Sequence, residues 1–383
     1  MRRSRWLWLI VLCGLGVGGR LATPASASAD EGHEAAGRFP HSVVLADVNR
    51  DGHLDIAIAA SADRKVTILF GNGKGGVAAN HSYESGRGPI WIASGDLNGD
   101  GHPDLVSANS GAGSLSLYFN DGQGRFLGRK DVEAFKAPVA VVVADFDRDG
   151  RMDLAVADTL LSEIHILRGD GKGGLTRFAQ YPSGTRPHIL ADADLNKDGI
   201  VDLVATSLGQ HTLTVLLGKG NGTFEEPRFV TVGRFPHYMA FADFTGDGHQ
   251  DVAVVCAGDD AVVILAGDGK GSLRKLAEFP TGVNPHPVVA RDFTGDGHQD
   301  LVIGNRSTQD LTILKGDGKG QFTPLPRVEL PDDAIVLAAG DFDEDGTPDL
   351  VLIFASLHAA RIYRGDGQGG FIPVASPASR ATR

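Results

Sequence analysis

The sequence predicts an all-β protein, a seven-bladed β-propeller with four antiparallel strands in each 49-residue blade. Three observations carry that expectation. A nine-residue motif of aspartates around one glycine occurs seven times, each start 49 residues after the last. A glycine-rich heptapeptide recurs with the same step. Apolar residues between the two motifs alternate with a period of two, as in Val66 and Ile68 or Leu115 and Leu117, and no unit sustains a 3.6-residue pattern. Four short strands in a repeat of about 40–50 residues suit a propeller blade, and seven blades can close into a ring that hides their sheet edges. A parallel β-helix is the rival architecture, though its turns are usually shorter.

The elements follow in chain order. Residues 1–29 read as a secretory signal peptide. Arg2, Arg3 and Arg5 precede an apolar run over residues 6–19, and Ala27 and Ala29 supply an A-x-A cleavage pattern. The mature chain is expected to be secreted, periplasmic or on the cell surface. No later stretch approaches ~18 apolar residues, so no transmembrane segment is expected in it. Residues 30–376 then hold the seven repeats, and 377–383 are a short flexible tail. Cys256 is the one cysteine left after the leader, so no internal disulfide can form.

Each unit begins with a short strand, residues 43–46 in the first, that enters the aspartate motif. A second strand, 56–59, leaves it. A third, 66–70, runs into the glycine turn, and a fourth follows, often opening on phenylalanine as at Phe126, Phe224, Phe322 and Phe371. The glycine turn GDGKGG has the look of a phosphate loop, but seven copies between strands with no following helix make it a turn. Neither nucleotide nor nucleic acid is expected as a partner.

The aspartate motif has the chemistry of a calcium loop. Calcium takes about six to eight oxygen ligands. Positions 1, 3, 5 and 9 supply side-chain oxygens: Asp47, Asn49, Asp51 and Asp55; Asp96, Asn98, Asp100 and Asp104; Asp145, Asp147, Asp149 and Asp153; Asp194, Asn196, Asp198 and Asp202; Asp243, Thr245, Asp247 and Asp251; Asp292, Thr294, Asp296 and Asp300; Asp341, Asp343, Asp345 and Asp349. Position 7 varies freely, as a backbone ligand would allow, so its histidines are not expected to bind metal. Position 12 is never glutamate and the flanks are strands, which excludes an EF-hand. Up to seven Ca²⁺ are expected, one per blade, weakest in blades five and six where Thr245 and Thr294 offer only hydroxyls. A metal-free Asx-turn hairpin is the alternative. Charge favours the metal. The leader carries four arginines and no acid, so its removal takes the net charge from −12 to −16, and 23 aspartates lie at the loop positions.

The spacing DxNxDGxxD between two strands, with GxGxG before an aromatic, resembles the FG-GAP and VCBS repeats that form integrin-α-like seven-bladed propellers. The resemblance covers all seven units. It implies a calcium ion held between the first and second strands of a blade, and it implies no single activity.

A specific function should lie where repetition fails. His41, His188, His237 and His286 follow the repeated proline and should sit near the channel, opposite the aspartate loops; they could bind a transition metal or an anionic ligand, or simply be repeat consensus. Arg38, Arg87, Lys136 and Arg234 would add positive charge there, and Trp91 and Tyr238 either add stacking surface or belong to the core. Asp192 and Arg291 stand where other units carry small or apolar residues and could pair across blades. The expected function is an adhesion or binding module for a protein or carbohydrate. The alternative is a polysaccharide-acting, lyase-like enzyme using the face opposite the loops.

Overall fold

The computed structural model describes residues 10–11 and 34–374. Among these residues there is no helix, and the strands form seven sheets set as the blades of a propeller. Blade 1 shows the plan. Pro40–Ala46 is innermost, then Asp55–Ala60, Lys65–Gly71 and Val77–Glu84 follow outward, each antiparallel to the one before. The inner strands of the other blades are Pro89–Gly95, Pro138–Ala144, Pro187–Ala193, Pro236–Ala242, Pro285–Arg291 and Ala334–Gly340. Each packs against the next, and the last packs against the first, which closes the ring.

The second strand of every blade is buried along its whole length. Each sheet is pressed between two neighbours, so both faces of its middle strands are covered. The alternation seen in the third strands therefore does not mark a solvent face. Thr67, Ser116 and Thr214, lying between apolar positions, are buried too. Each has a hydrogen-bond partner, as burial requires: Thr67 with Ser82 Oγ at 3.0 Å, Ser116 with Asp131 Oδ1 at 2.7 Å, Thr214 with the Ser183 carbonyl at 2.8 Å. Exposure is concentrated in outer strands such as Val77–Glu84.

Blade 7 is completed from both ends of the described chain. Its third strand, Ala359–Gly365, pairs with Phe371–Pro373 at one end and with Glu34–Ala35 at the other. This clasp covers an edge that would otherwise expose unpaired backbone groups. The short strand Ile10–Val11 pairs with Val43–Val44 on the inner edge of blade 1. The rest of the expected leader, and the tail 377–383, lie outside the described residues.

Deleting residues 34–36 should cost a few kcal/mol, on the order of several lost backbone hydrogen bonds. Hydrogen exchange should then quicken first at residues 359–363. Uniform quickening around the ring would argue against a clasp.

Candidate metal centre and ligand face

The aspartate loops join the inner strand of each blade to its second strand, and the four acidic positions do different work. The position 9 aspartates are buried, Asp104 wholly and Asp55 to within 1%. Each carboxylate accepts at least two backbone N–H groups, and Asp251 and Asp300 accept a third, from Thr245 and Thr294. Asp55 Oδ2 takes the amide of Val48 and its Oδ1 that of Gly71, both at 2.9 Å. The pattern repeats at Asp104, Asp153, Asp202, Asp251, Asp300 and Asp349. Position 9 thus ties the aspartate loop to the glycine turn of its own blade.

The position 2 residue held this way also contacts the next blade. The glycine turns of blades 3, 4, 6 and 7 donate to position 2 carbonyls of the blade before, through Gly173 to Leu97, Gly222 to Phe146, Gly320 to Phe244 and Gly369 to Phe293. Gly75 of blade 1 donates to Phe342 of blade 7, so the same contact spans the ring's closure. These glycines lie at φ between 75° and 84°, where a side chain is strained. At Gly173 a Cβ would also come within 2.4 Å of the Phe119 ring.

Position 1 accepts the amide of the loop glycine, as from Gly52 to Asp47 Oδ2 at 3.0 Å, and position 5 accepts the amide of position 7, as from His53 to Asp51 Oδ1 at 2.9 Å. The His53 ring turns away to Glu344 of blade 7, at 2.5 Å, consistent with position 7 offering no side-chain ligand. Burial pushes the position 9 carboxyls up, to about 7 for Asp55 and Asp104 and about 6 for Asp153, Asp202 and Asp349; Asp251 and Asp300 are raised for the same reason.

The donor set fits a hard cation. In blades 3 and 7 a carboxylate oxygen from each of positions 1, 3 and 5 lies within 4.8 Å of the others: Asp145, Asp147 and Asp149, and Asp341, Asp343 and Asp345. Asp194 Oδ1 and Asp343 Oδ1 are buried with no hydrogen-bond partner, which a cation would supply. Counter-ions alter the ranking that position 3 suggests. Arg168 sits 2.7 Å from Asp147, and Arg364 sits 2.5 Å from Asp343. Arginine occupies this third-strand position only in the two blades with aspartate at position 3; the other blades have Phe70, Phe119, Leu217, Ala266 and Lys315. The fourth carboxylate of those loops is therefore balanced by arginine. Lys315 pairs with Asp296 at 3.0 Å and leaves loop six less anionic than loop five.

At the other end of the inner strands, the structure gathers three of the four histidines. His188 and His237 meet edge to face with centroids 5.0 Å apart, and His237 and His286 stack at 4.1 Å. Burial drives their pKa values down, to about 4 for His188 and about 3 for His286, so all three are neutral at physiological pH. Their ligating atoms form no compact three-residue group among the described residues. His41 Nε2 is bonded to Ser61 Oγ at 2.9 Å. Arg38 and Arg234 do not supply free charge, because each is paired at 2.6 Å, with Asp63 and Asp259. Trp91 and Tyr238 are core residues, each 1% exposed. Asn109 and Asn305 are likewise buried strand caps.

Sequence reasoning overlooked two residues on this face. The pentapeptide Gly-Arg-Phe-Pro-His occurs at 37–41 and again at 233–237. Phe39 and Phe235 are 53% and 46% exposed and sit at φ of 50° and 52°. Left-handed backbone is costly for a bulky side chain. Each ring packs against a histidine of the preceding blade, Phe39 on His358 at 5.3 Å and Phe235 on His211 at 5.1 Å. Each phenylalanine amide also donates to that histidine's Nδ1. The exact repetition of five residues was the signal that could have found them.

These features define a class: a seven-bladed propeller with an aspartate loop in every blade. The sequence matches the FG-GAP-like repeat over residues 47–107, 96–156, 194–254, 243–303 and 292–352, and the chain belongs to that family. No curated protein sequence matches it. Among solved structures it resembles BBS1N in complex with ARL6DN, at 16% identity and TM-score 0.60, over 94% of this chain and 97% of that one. It also resembles an Agrocybe aegerita lectin with specific recognition of non-reducing terminal N-acetylglucosamine, at 18% identity and TM-score 0.55, over 88% and 86%. A putative 6-phosphogluconolactonase from Bacteroides fragilis aligns at 15% identity and TM-score 0.60, over 87% and 98%. At these identities the likeness is one of fold.

Without metal, the protein should melt higher at about pH 5 than at pH 8, because the position 9 carboxyls raised to about 6–7 outweigh the three buried histidines, whose depressed pKa values act in the opposite direction. The folded pKa values lie above those of free carboxyls, so the position 9 groups favour folding while protonated. That contribution is full below about pH 4 and is lost as pH rises through 6–7. Melting curves in chelator check this, and greater stability at pH 8 would contradict it. Asp104→Ala should cost on the order of 2–6 kcal/mol, because two buried amides lose their acceptor at about 1–3 kcal/mol each; chemical denaturation measures the loss.

Proposed function

We propose that this protein is a calcium-clamped binding module for carbohydrate, working through the face opposite the aspartate loops. The observation that carries the reading is the duplicated Gly-Arg-Phe-Pro-His device. Each copy presents an exposed aromatic ring, stiffened by a histidine and flanked by an arginine–aspartate pair, at a junction between blades. An aromatic face beside fixed polar groups suits the apolar face of a pyranose ring and its hydroxyls. The left-handed backbone at Phe39 and Phe235 is shared with Gly88, Arg186 and Asn284 of blades 2, 4 and 6, so what sets these two copies apart is the exposed ring. Blades 1 and 5 stand nearly opposite each other in the ring. Two equal platforms on one face favour a repeating, multivalent ligand, whose second contact is made at high effective concentration. The likeness to a lectin agrees with this reading, though the fold alone does not require it.

In the same reading, positions 1, 3, 5 and 9 of each loop hold Ca²⁺, with the position 7 carbonyl as a further ligand. The ion supplies positive charge where carboxylates crowd. Seven ions would bring the mature net charge from −16 to about −2. Blade six is the weakest site, since Lys315 already neutralises part of its loop. Export under a signal peptide, to the extracellular space, periplasm or cell surface, completes the proposal; Cys256, the one cysteine among the described residues, is free, so calcium rather than a disulfide would stiffen the described fold.

Glycan-array binding by the calcium-loaded protein should fall at least ~10-fold in Phe39→Ala/Phe235→Ala, with the melting temperature little changed, because both rings are about half exposed and alanine keeps the same left-handed backbone. Each single variant should lose mainly avidity. Turnover of a bound polysaccharide would favour an enzyme, and binding to protein alone would reject the carbohydrate reading. Chelation should lower the melting temperature, each site being worth about 2.7 kcal/mol at a hundredfold excess of ion over Kd. An unchanged melting curve would refute the calcium clamp. Lys315→Ala should tighten the weakest site in a calorimetric titration.

A further inference from the structure

The residue immediately before each inner strand stands at the channel mouth, at the end away from the aspartate loops. Phe235 holds this place in blade 5, Arg186 in blade 4, Phe39 in blade 1 and Asp333 in blade 7. Arg186 and Phe235 are therefore in register on neighbouring blades. His188 and His237 lie two residues further along the same two strands, and their ring centroids are 5.0 Å apart. The Phe235 ring also leans towards blade 4, 5.1 Å from the ring of His211. The turn carrying His211 bonds back to Arg186, through the Leu208 amide and the Arg186 carbonyl at 3.1 Å. The Arg186 charge reaches both His188 and His237, adding to the lowering of their pKa values that burial mainly causes.

Arg186 is exposed, and no acid among the described residues pairs with it. The turn between Arg186 and Phe235, residues 208–211, holds no acid. Acids of the flanking turns are engaged elsewhere: Asp259 with Arg234, Asp260 with the Asn284 amide at 2.8 Å, and Glu163 beside His165. At Phe39 the corresponding neighbour is Asp333, already paired with Arg306 at 2.9 Å. The two rings are alike, but their charged neighbours differ. Lys136 and Arg64, other cations of this face, stand in blades 3 and 1, two and three blades from Phe235.

We propose that the Phe235 platform takes an acidic saccharide, its sugar ring stacked on Phe235 and its carboxylate or sulfate held by the Arg186 guanidinium. This rests on the carbohydrate reading and narrows its ligand. Arginine's planar fork meets such a group through two parallel hydrogen bonds. The protein's own acidity does not oppose the ligand. The seven-residue strand Pro187–Ala193 separates this mouth from its loop aspartates. At about 3.3 Å per residue that is roughly 20 Å, well beyond a Debye length of about 8 Å.

The test is calorimetric titration of the full calcium-loaded chain with paired oligosaccharides: a uronate oligomer and its methyl ester, and a sulfated oligomer and its desulfated form. An acidic member should bind about 10- to 100-fold more tightly than its neutral partner, the loss of charge-assisted contacts. The pair that shows this tells carboxylate from sulfate. Arg186→Asn should bring both members to the neutral affinity. Its melting temperature should match the parent, because asparagine already holds this place in blade 6, as Asn284 at φ of 61°. Lys136→Ala and Phe39→Ala should keep the preference, and Phe235→Ala should lose it. A preference that survives Arg186→Asn would overturn the proposal. Equal affinity within both pairs, still dependent on Phe235, would overturn it and leave the carbohydrate reading standing. Binding of no saccharide at all would overturn both.

Discussion

The ring depends on one buried carboxylate, repeated seven times. Each position 9 aspartate accepts one amide from its aspartate loop and one from its glycine turn. The first of these bonds fixes the residue at position 2. That residue buries its side chain between blades, as Phe146, Phe244 and Phe293 do against Phe224, Phe322 and Phe371. Its carbonyl in most blades receives an amide from the next glycine turn. One side chain therefore couples the fold of a blade to its docking on a neighbour. In a repeat architecture, where stability is close to a sum of units and interfaces, such a group contributes to both terms.

The same carboxylates explain why the loops suit a cation. Burial alone favours their neutral form, yet the amides they accept favour the charged one. Crowding three or four aspartates within a nine-residue turn adds repulsion. A divalent ion would reverse the balance, and the chain already does so in part with its own cations. Arg168 and Arg364 stand beside the only two position 3 aspartates, and Lys315 beside Asp296. The loops are graded by their third-strand neighbours as well as by their own sequence.

The two ends of the channel have different chemistry. At the aspartate-loop end the wall opens into a cavity whose lining includes Asp192 and Arg291. At the other end neutral histidines fill the space, and exposed Phe39 and Phe235 stand on the rim. Sequence reasoning placed the functional interest at the histidines themselves. In the structure His188, His237 and His286 pack as aromatic rings, and the exposed chemistry has moved one or two residues upstream. The two buried rings, His188 and His286, lie in blades without the pentapeptide, whereas Phe39 and Phe235 precede the strands that begin at Pro40 and Pro236 and stay exposed.

The 49-residue period carried the architecture. Seven equal steps dictate seven equal sheets, and four strands per step dictate a blade, so the fold was legible without any contact being known. The position 1, 3, 5 and 9 aspartates were legible for the same reason, since a turn geometry repeats with its residues. What repetition could not convey was anything that depends on which blades are neighbours. The division of labour between position 9 and the other acids, the arginine beside Asp147 and the clasp between Glu34–Ala35 and Ala359–Gly365 all join residues distant in sequence. Most clearly, Asp192 and Arg291 have opposite charges and nearby blades, and a pair was the natural expectation. Only the ring's closed geometry decided otherwise: both residues line one cavity, and no ion pair joins them.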